Sequence, residues 1–130
     1  MLVVVIDTLR ADHLGAWGAA RETSPELDQL AIEGQRFAHA WAPASWTRPS
    51  VAALLTGLSP RRLGIREEQG DMLPGDVPTL AERLKSTGYA TFGMTANPNL
   101  NDIYGFGRGF DTYLDSNIVF QWMLADGAVG

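Results

Sequence analysis

The sequence predicts an α/β fold, with helices flanking a mostly parallel sheet and residues 1–130 forming one domain. Residues 2–6 are a continuous apolar, β-branched run, which fits a strand buried on both faces of a parallel sheet. Residues 24–34 and 79–88 carry the start and stop signals of helices, and a strand-like stretch follows the second. Because helix, glycine and strand in succession make the crossover that parallel strands need, we predict this architecture.

Asp7 directly follows the first predicted strand. Open α/β sheets bind ligands at the carboxyl ends of their strands, and a carboxylate at that edge suits a divalent metal ion. The simpler interpretation is that Asp7 only closes a turn. Its position does not decide between a metal ligand and a turn residue.

The first predicted helix has Ser24 as N-cap, Pro25 as first residue and Gly34 as stop. An apolar face at helical spacing is expected to pack on the sheet. That face consists of Leu27, Leu30 and Ala31.

A second strand is predicted where Phe37, His39 and Trp41 alternate with alanines. This strand would bring the chain to the loop around Thr47. We interpret His39 as a partly buried, hydrogen-bonded strand residue rather than a metal ligand.

Residues 45–57 read as a loop with one hydroxyl that runs into a short helix. Pro49 suits the first helical turn, and Gly57 provides the left-handed residue that ends the helix. Thr47 therefore stands at a helix N-terminus, where backbone N–H groups and the helix dipole favour an anion. A hydroxyl there can attack a sulfate or phosphate ester held by those groups, or it can simply cap the helix.

Arginines follow the Thr47 helix and can steer an anionic substrate, although a solvated surface is the usual role of such charges. They are Arg61, Arg62 and Arg66. Three acidic residues dilute this patch, namely Glu67, Glu68 and Asp71.

Thr79 and Glu82 form a predicted capping box, and Gly88 stops the helix that they begin. Residues 89–95 follow as a strand. Asn97 stands in a turn at the end of that strand, hence on the ligand edge of the sheet. It is first of all a turn former and second a candidate substrate contact.

Residues 45–57 resemble the sulfatase signature of the alkaline phosphatase superfamily, in which Cys or Ser, any residue, Pro, Ser and Arg lead into a hydrophobic pair and Thr-Gly. Thr47 takes the nucleophile position. The other matches are Pro49, Ser50, Leu54, Leu55, Thr56 and Gly57. Residues 5–15 similarly resemble the family's opening motif, in which the first Asp, here Asp7, binds the active-site metal. Arg10 and Asp12 also match, and we interpret them as a structural ion pair of the loop.

The resemblance implies an alkaline-phosphatase-like fold, of which this chain is the N-terminal portion. Two positions depart from the signature. Thr47 replaces the Cys or Ser that formylglycine-dependent sulfatases oxidise, and Val51 replaces an Arg. Because threonine cannot become formylglycine by that route, no formylglycine is expected. Other branches of the superfamily, such as nucleotide pyrophosphatases and phosphoethanolamine transferases, use an unmodified Thr.

We therefore predict a metal-dependent, sulfatase-like hydrolase of sulfate or phosphate esters. Thr47 is the predicted nucleophile and a metal ligand, Asp7 is the second metal ligand, and Arg48 and Asn97 are predicted to contact the substrate. The metal would be Ca, Mn, Mg or Zn. One alternative is phosphoryl or phosphoethanolamine transfer through a phosphothreonine. The other is a non-catalytic, truncated fragment.

The composition of the chain excludes several classes of binding partner and site. A net charge of −5 and a pI near 4.8 argue against nucleic acid as a partner. The family resemblance implies an anionic small-molecule or glycan ester as the substrate. The absence of cysteine excludes thiolate metal sites and formylglycine made from Cys. No apolar run is long enough to span a bilayer and no signal peptide is recognisable, so a cytoplasmic location is expected if the start is genuine.

The resemblance also implies that the site is incomplete in this chain. Family enzymes add further metal ligands and a general acid from the second half of the domain, whereas this chain has only His13 and His39, both before Thr47. We expect a front portion of a longer hydrolase whose exposed apolar faces make it poorly soluble or oligomeric.

Overall fold

The computed structural model describes residues 1–65 and 71–118, so Arg66, Glu67 and Glu68 of the predicted charged patch lie outside the described residues. The chain forms two compact units, Met1–Trp41 and Ala42–Gly130. The α-helices that lie wholly in the described ranges are α1 Pro25–Glu33, α2 Thr47–Thr56, α3 Pro60–Leu63 and α4 Leu80–Ser86. Two strands pair in parallel, β1 Phe92–Met94 and β2 Thr112–Leu114. This arrangement is an α/β architecture, as predicted. No described helix has the length and apolar character needed to cross a membrane.

In the unit Met1–Trp41, α1 begins at Pro25 and is followed by Gly34, which confirms both predicted ends. Ser24 occupies the N-cap position, but its hydroxyl is used elsewhere. It donates to the Asp28 carboxylate and accepts the N–H of Gly15, each at 3.1 Å. The first turn of α1 is thereby fastened to the 3₁₀ turn Gly15–Trp17.

The strand predicted at residues 2–6 is not formed. Their side chains are 53–86 % exposed, and no backbone hydrogen bond among the described residues involves them. An extended, β-branched run has strand propensity, but a strand exists only where a neighbouring strand accepts its hydrogen bonds. The prediction of a buried strand at this position is therefore wrong in this structure.

Two further predictions for this unit are wrong for the same reason. Leu30 on the apolar face of α1 is 64 % exposed, and Leu27 is 40 % exposed, so that face does not pack on a sheet. Residues 37–41 form no strand, and Trp41 is 83 % exposed. His39 is not the partly buried strand residue that was predicted, because it is exposed and its ring stacks on Trp41 with 5.9 Å between centroids. Amphipathic spacing identifies a face that can be buried but not the surface that covers it.

The unit Ala42–Gly130 contains the core of buried apolar side chains. Its members are Ala52, Leu63, Ile65, Leu73 and Phe106. Helix α2 contributes Ala52 and packs against α3, α4 and the 3₁₀ turn Pro98–Leu100. This packing places the N-terminus of α2 beside the turn that follows β1.

The predicted succession of helix α4, Gly88 and strand β1 forms, but with a shorter strand and with no strand before α4 among the described residues. The Thr79 hydroxyl accepts the Glu82 N–H at 3.1 Å, and the Glu82 carboxylate accepts the Thr79 N–H at 2.7 Å, which is the expected capping box. The strand predicted for residues 89–95 is limited to Phe92–Met94. Its parallel partner Thr112–Leu114 was not predicted.

Candidate functional site

Thr47 is the first residue of α2. Trp46 occupies the N-cap position in an extended conformation, so Thr47 is not the cap that the alternative interpretation assumed. Pro49 lies in the first turn, where its missing N–H removes no intrahelical bond, and Gly57 at φ +73° ends the helix. The half-buried Thr47 therefore stands at the positive end of a ten-residue helix.

Two other signature residues, Ser50 and Thr56, form hydrogen bonds that stabilise the two ends of α2. The Ser50 hydroxyl donates to the Ala44 carbonyl at 2.8 Å, which ties the preceding loop to the first turn. The Thr56 hydroxyl donates to the Ala52 carbonyl at 2.7 Å and accepts the Leu58 N–H at 3.2 Å. The hydroxyls of Ser50 and Thr56 therefore have structural roles at the ends of α2.

Arg48 is buried beside Thr47, with 4 % of its surface exposed. Its Nε donates to the Asn99 carbonyl at 3.2 Å, and its Nη1 lies 3.5 Å from the Asp71 carbonyl. The guanidinium carbon lies 3.6 Å from the centroid of the Tyr104 ring and 5.5 Å from that of Trp46. The substrate contact predicted for Arg48 stays a prediction, because the contacts seen here are with the protein.

Asn97 follows the carboxyl end of β1 and caps the 3₁₀ turn Pro98–Leu100. Its side-chain oxygen accepts the Asn99 N–H at 2.9 Å, and its own N–H donates to the Thr95 hydroxyl at 3.1 Å. The turn role is confirmed, whereas its contact with a substrate stays a prediction. Since Arg48 binds the Asn99 carbonyl, the first turn of α2 and the Asn97 turn are directly linked.

Asp7 lies in the unit Met1–Trp41 and is exposed. Its carboxylate accepts the Thr8 N–H at 2.9 Å, and Thr8 adopts a left-handed conformation at φ +60°. Asp7 thus has the turn role of the simpler interpretation, and its metal role stays a prediction. The loop ion pair is confirmed: Arg10 donates two hydrogen bonds to Asp12, at 2.6 and 2.9 Å, which lowers the pKa of that carboxyl.

The predicted metal ligands have oxygen atoms of the type that a hard cation prefers, but too few of them. Carboxylate and hydroxyl oxygens, as in Asp7 and Thr47, are the ligands that Ca²⁺ and Mg²⁺ prefer. However, residues 1–65 and 71–118 contain no group of three or more His, Cys, Asp or Glu that could hold an ion. Ca²⁺ takes about six to eight oxygen ligands. The described residues therefore do not complete a coordination sphere.

Comparison with known proteins identifies relatives along nearly the whole chain. The family model described as Sulfatase matches residues 1–128. Arylsulfatase A of Bos taurus is 42 % identical over 96 residues, which are 70 % of this chain and 19 % of that protein. Arylsulfatase G of Canis lupus familiaris is 36 % identical over 120 residues, 86 % of this chain and 22 % of the relative.

A bacterial relative is the N-acetylgalactosamine-6-O-sulfatase of Bacteroides thetaiotaomicron, 32 % identical over 99 residues. These residues are 70 % of this chain and 19 % of that protein. The chain therefore spans about a fifth of the length of the curated relatives that it matches.

Proposed function

This chain belongs to the sulfatase family, and on that premise we propose that it supplies the nucleophile, Thr47, and one metal ligand, Asp7, of a metal-dependent ester hydrolase. One observation carries the proposal. The signature segment begins α2 with Thr47 as its first residue, so the hydroxyl stands where a helix N-terminus attracts an anion.

The reaction would be a displacement at sulfur or phosphorus. The Thr47 oxygen forms a bond to that atom, loses its proton, and the bond to the departing alcohol breaks as the alcohol takes up a proton. Water then cleaves the threonine ester and restores the hydroxyl. Backbone N–H groups at the start of α2 would hold the anionic oxygens. A divalent ion, when bound, would lower the pKa of the hydroxyl and polarise the ester.

Asn97 completes the proposal as a substrate contact, and Arg48 contributes positive charge next to the nucleophile. Asn97 is favoured because its turn follows the carboxyl end of β1, the edge at which α/β sheets bind ligands. Arg48 puts a positive charge behind the first turn of α2, which attracts an anionic ester at short range. Direct contact would require the guanidinium to leave the Asn99 carbonyl.

The proposed substrate is an anionic small-molecule or glycan ester. The relatives are named as sulfatases, and one of them is named for N-acetylgalactosamine, which favours sulfate esters. The threonine at position 47 supports a second candidate, phosphoryl transfer through a phosphothreonine, because an alcohol needs no oxidation to act as nucleophile.

Mass spectrometry of the intact protein tests the proposal. The protein is incubated with para-nitrophenyl sulfate or para-nitrophenyl phosphate, quenched in acid and mapped by peptide. We expect a sulfuryl group on Thr47 from the sulfate ester if the protein acts on sulfate esters, and a phosphoryl group from the phosphate ester if it acts on phosphate esters by hydrolysis or by transfer. A covalent group on any other residue would contradict the assignment of the nucleophile.

A further inference from the structure

Thr47 occupies the position in α2 that is least constrained by the helix itself. The first residue of a helix lacks the intrahelical bonds of the interior, and helix ends fray. A nucleophile, in contrast, must be held closely, because a misplacement of about 1 Å can lower a rate by about a hundredfold. A contact that fixes the first turn of α2 would therefore matter for the reaction.

Arg48 provides such a contact. It is the residue after Thr47, it is 4 % exposed, and it reaches three other segments of the same unit. These are the Asn99 carbonyl, the Asp71 carbonyl and the face of Tyr104. Each partner lies at least 23 residues away along the chain, so the side chain links the start of α2 to distant elements.

The chemistry of these partners requires an arginine. Among the described residues, no carboxylate forms an ion pair with Arg48, so carbonyl dipoles and the Tyr104 ring stabilise the buried charge. At 3.6 Å the guanidinium lies against the ring face while Nε still reaches the Asn99 carbonyl. Lysine would keep the charge, but a compact ammonium cannot stack and donate in this fixed direction at once.

We propose that Arg48 is a positioning residue: by stacking on Tyr104 and binding the Asn99 carbonyl, it fixes the Thr47 hydroxyl relative to the turn capped by Asn97. The inference rests on the proposed function of Thr47. It assigns Arg48 an effect on the rate of reaction through α2, in place of a direct contact with the ester.

Kinetics of five variants, each made in the complete gene product, on para-nitrophenyl sulfate and phosphate test the proposal. Arg48→Lys and Tyr104→Leu are each expected to lower kcat by roughly 10- to 100-fold, with KM within about twofold. The double variant should be no slower than the slower single variant, because both changes break one contact. Tyr104→Phe, which restores the ring, should restore kcat. The exposed neighbour Ile103, changed to Ala, serves as the control for disturbing the same 3₁₀ turn.

A direct substrate contact would give a different pattern. Arg48→Lys would then raise KM and Tyr104→Leu would leave both constants unchanged, and either result overturns the proposal. Circular dichroism establishes that each variant keeps its helices. If Arg48→Lys does not fold, the comparison of Tyr104→Leu with Tyr104→Phe decides the question alone.

Hydrogen exchange separates this proposal from the proposed function. The Ser50 amide, which closes the first turn of α2 by donating to the Trp46 carbonyl at 3.3 Å, should exchange at least about tenfold faster in Arg48→Lys and Tyr104→Leu than in the native protein. Unchanged exchange would overturn the positioning role whatever the activity. Turnover that survives Thr47→Ala would instead overturn the nucleophile assignment, while the exchange result still stands.

Discussion

Thr91 and Asp111 bind each other reciprocally, one residue before each of the two paired strands. The Thr91 N–H donates to the Asp111 carboxylate at 2.8 Å, and the Asp111 N–H donates to the Thr91 hydroxyl at 3.0 Å. Lys85 of α4 adds an ion pair to the same carboxylate at 2.7 Å. This contact fixes where the parallel pairing starts, with Phe92 opposite Thr112.

The Asp111 carboxylate predicts a loss of stability in acid. Its hydrogen bond with Lys85, followed by those from Thr91, lowers the pKa from 3.8 to about 2. Because the folded-state pKa lies below the unfolded value, the contribution to stability is fully present above about pH 4 and is lost as the pH falls towards 2.

Urea unfolding between pH 2 and pH 5, the range that brackets both pKa values, measures this effect. Asp111→Asn should lower the free energy of unfolding at pH 5 and flatten its dependence on pH. The exposed Asp76, changed to Asn, is the matched control and should leave the acid dependence as it is. An Asp111→Asn protein with the native acid dependence would contradict the assignment.

Substitution of Gly109 is expected to lower the stability of the protein much more than substitution of Gly88. Both adopt left-handed backbone conformations, at φ +84° and +90°. A Cβ at Gly88 would meet no atom within 4 Å, but a Cβ at Gly109 would overlap the backbone nitrogen of Glu82 and lie 2.7 Å from its Cα. A substitution at Gly109 therefore has two costs, the left-handed backbone conformation and the overlap of its Cβ with the first turn of α4.

Gly88→Ala should lower the free energy of unfolding by about 1–2 kcal/mol, the cost of the left-handed conformation alone. Gly109→Ala should lower it by roughly 3 kcal/mol or more, since overlap with backbone adds to that cost. Urea unfolding of both variants checks the difference. Equal losses of unfolding free energy in the two variants would contradict the overlap between a Cβ at position 109 and the backbone of Glu82.

Asp7 is expected to be required for binding a divalent cation. Calorimetric titration with the chlorides of calcium, magnesium, manganese and zinc should detect binding by the native protein. Asp7→Asn should weaken it at least about tenfold, because loss of a ligand cannot cost less than loss of an outer partner. The control is Asp12→Asn, which removes another carboxylate of the same unit that is already paired with Arg10. Native-like affinity in Asp7→Asn would contradict the metal role.

Helix ends were predictable because their signals are local. Ser24 and Gly34 bracket α1, and Thr79 with Glu82 begins α4, since a cap and its partner stand within about four residues of each other. The start of α2 at Thr47, two residues before Pro49, was approximate for the same reason: several residues in one turn can begin a helix.

Strands and long-range contacts were not predictable in this way. Residues 2–6 have the composition of a buried strand yet are exposed, because composition does not provide the neighbouring strand. Strand Thr112–Leu114 was missed because three residues after a glycine-rich turn carry no periodicity.

The stacking contact between Arg48 and Tyr104 joins distant segments of the chain, and no motif spacing relates the two residues. Leu30, which was predicted to pack on the sheet, is exposed, as is Trp41, and self-association through such side chains stays a prediction.

Turnover by Thr47→Ala is the most direct test of the nucleophile. The complete gene product and its Thr47→Ala and Thr47→Ser variants are assayed on para-nitrophenyl sulfate and phosphate at matched folded concentration. We expect Thr47→Ala to lower kcat by roughly 10⁴- to 10⁶-fold and Thr47→Ser, which keeps a hydroxyl, to retain measurable turnover. Thr47→Ala turning over either ester at the native rate would contradict the assignment of Thr47 as the attacking group.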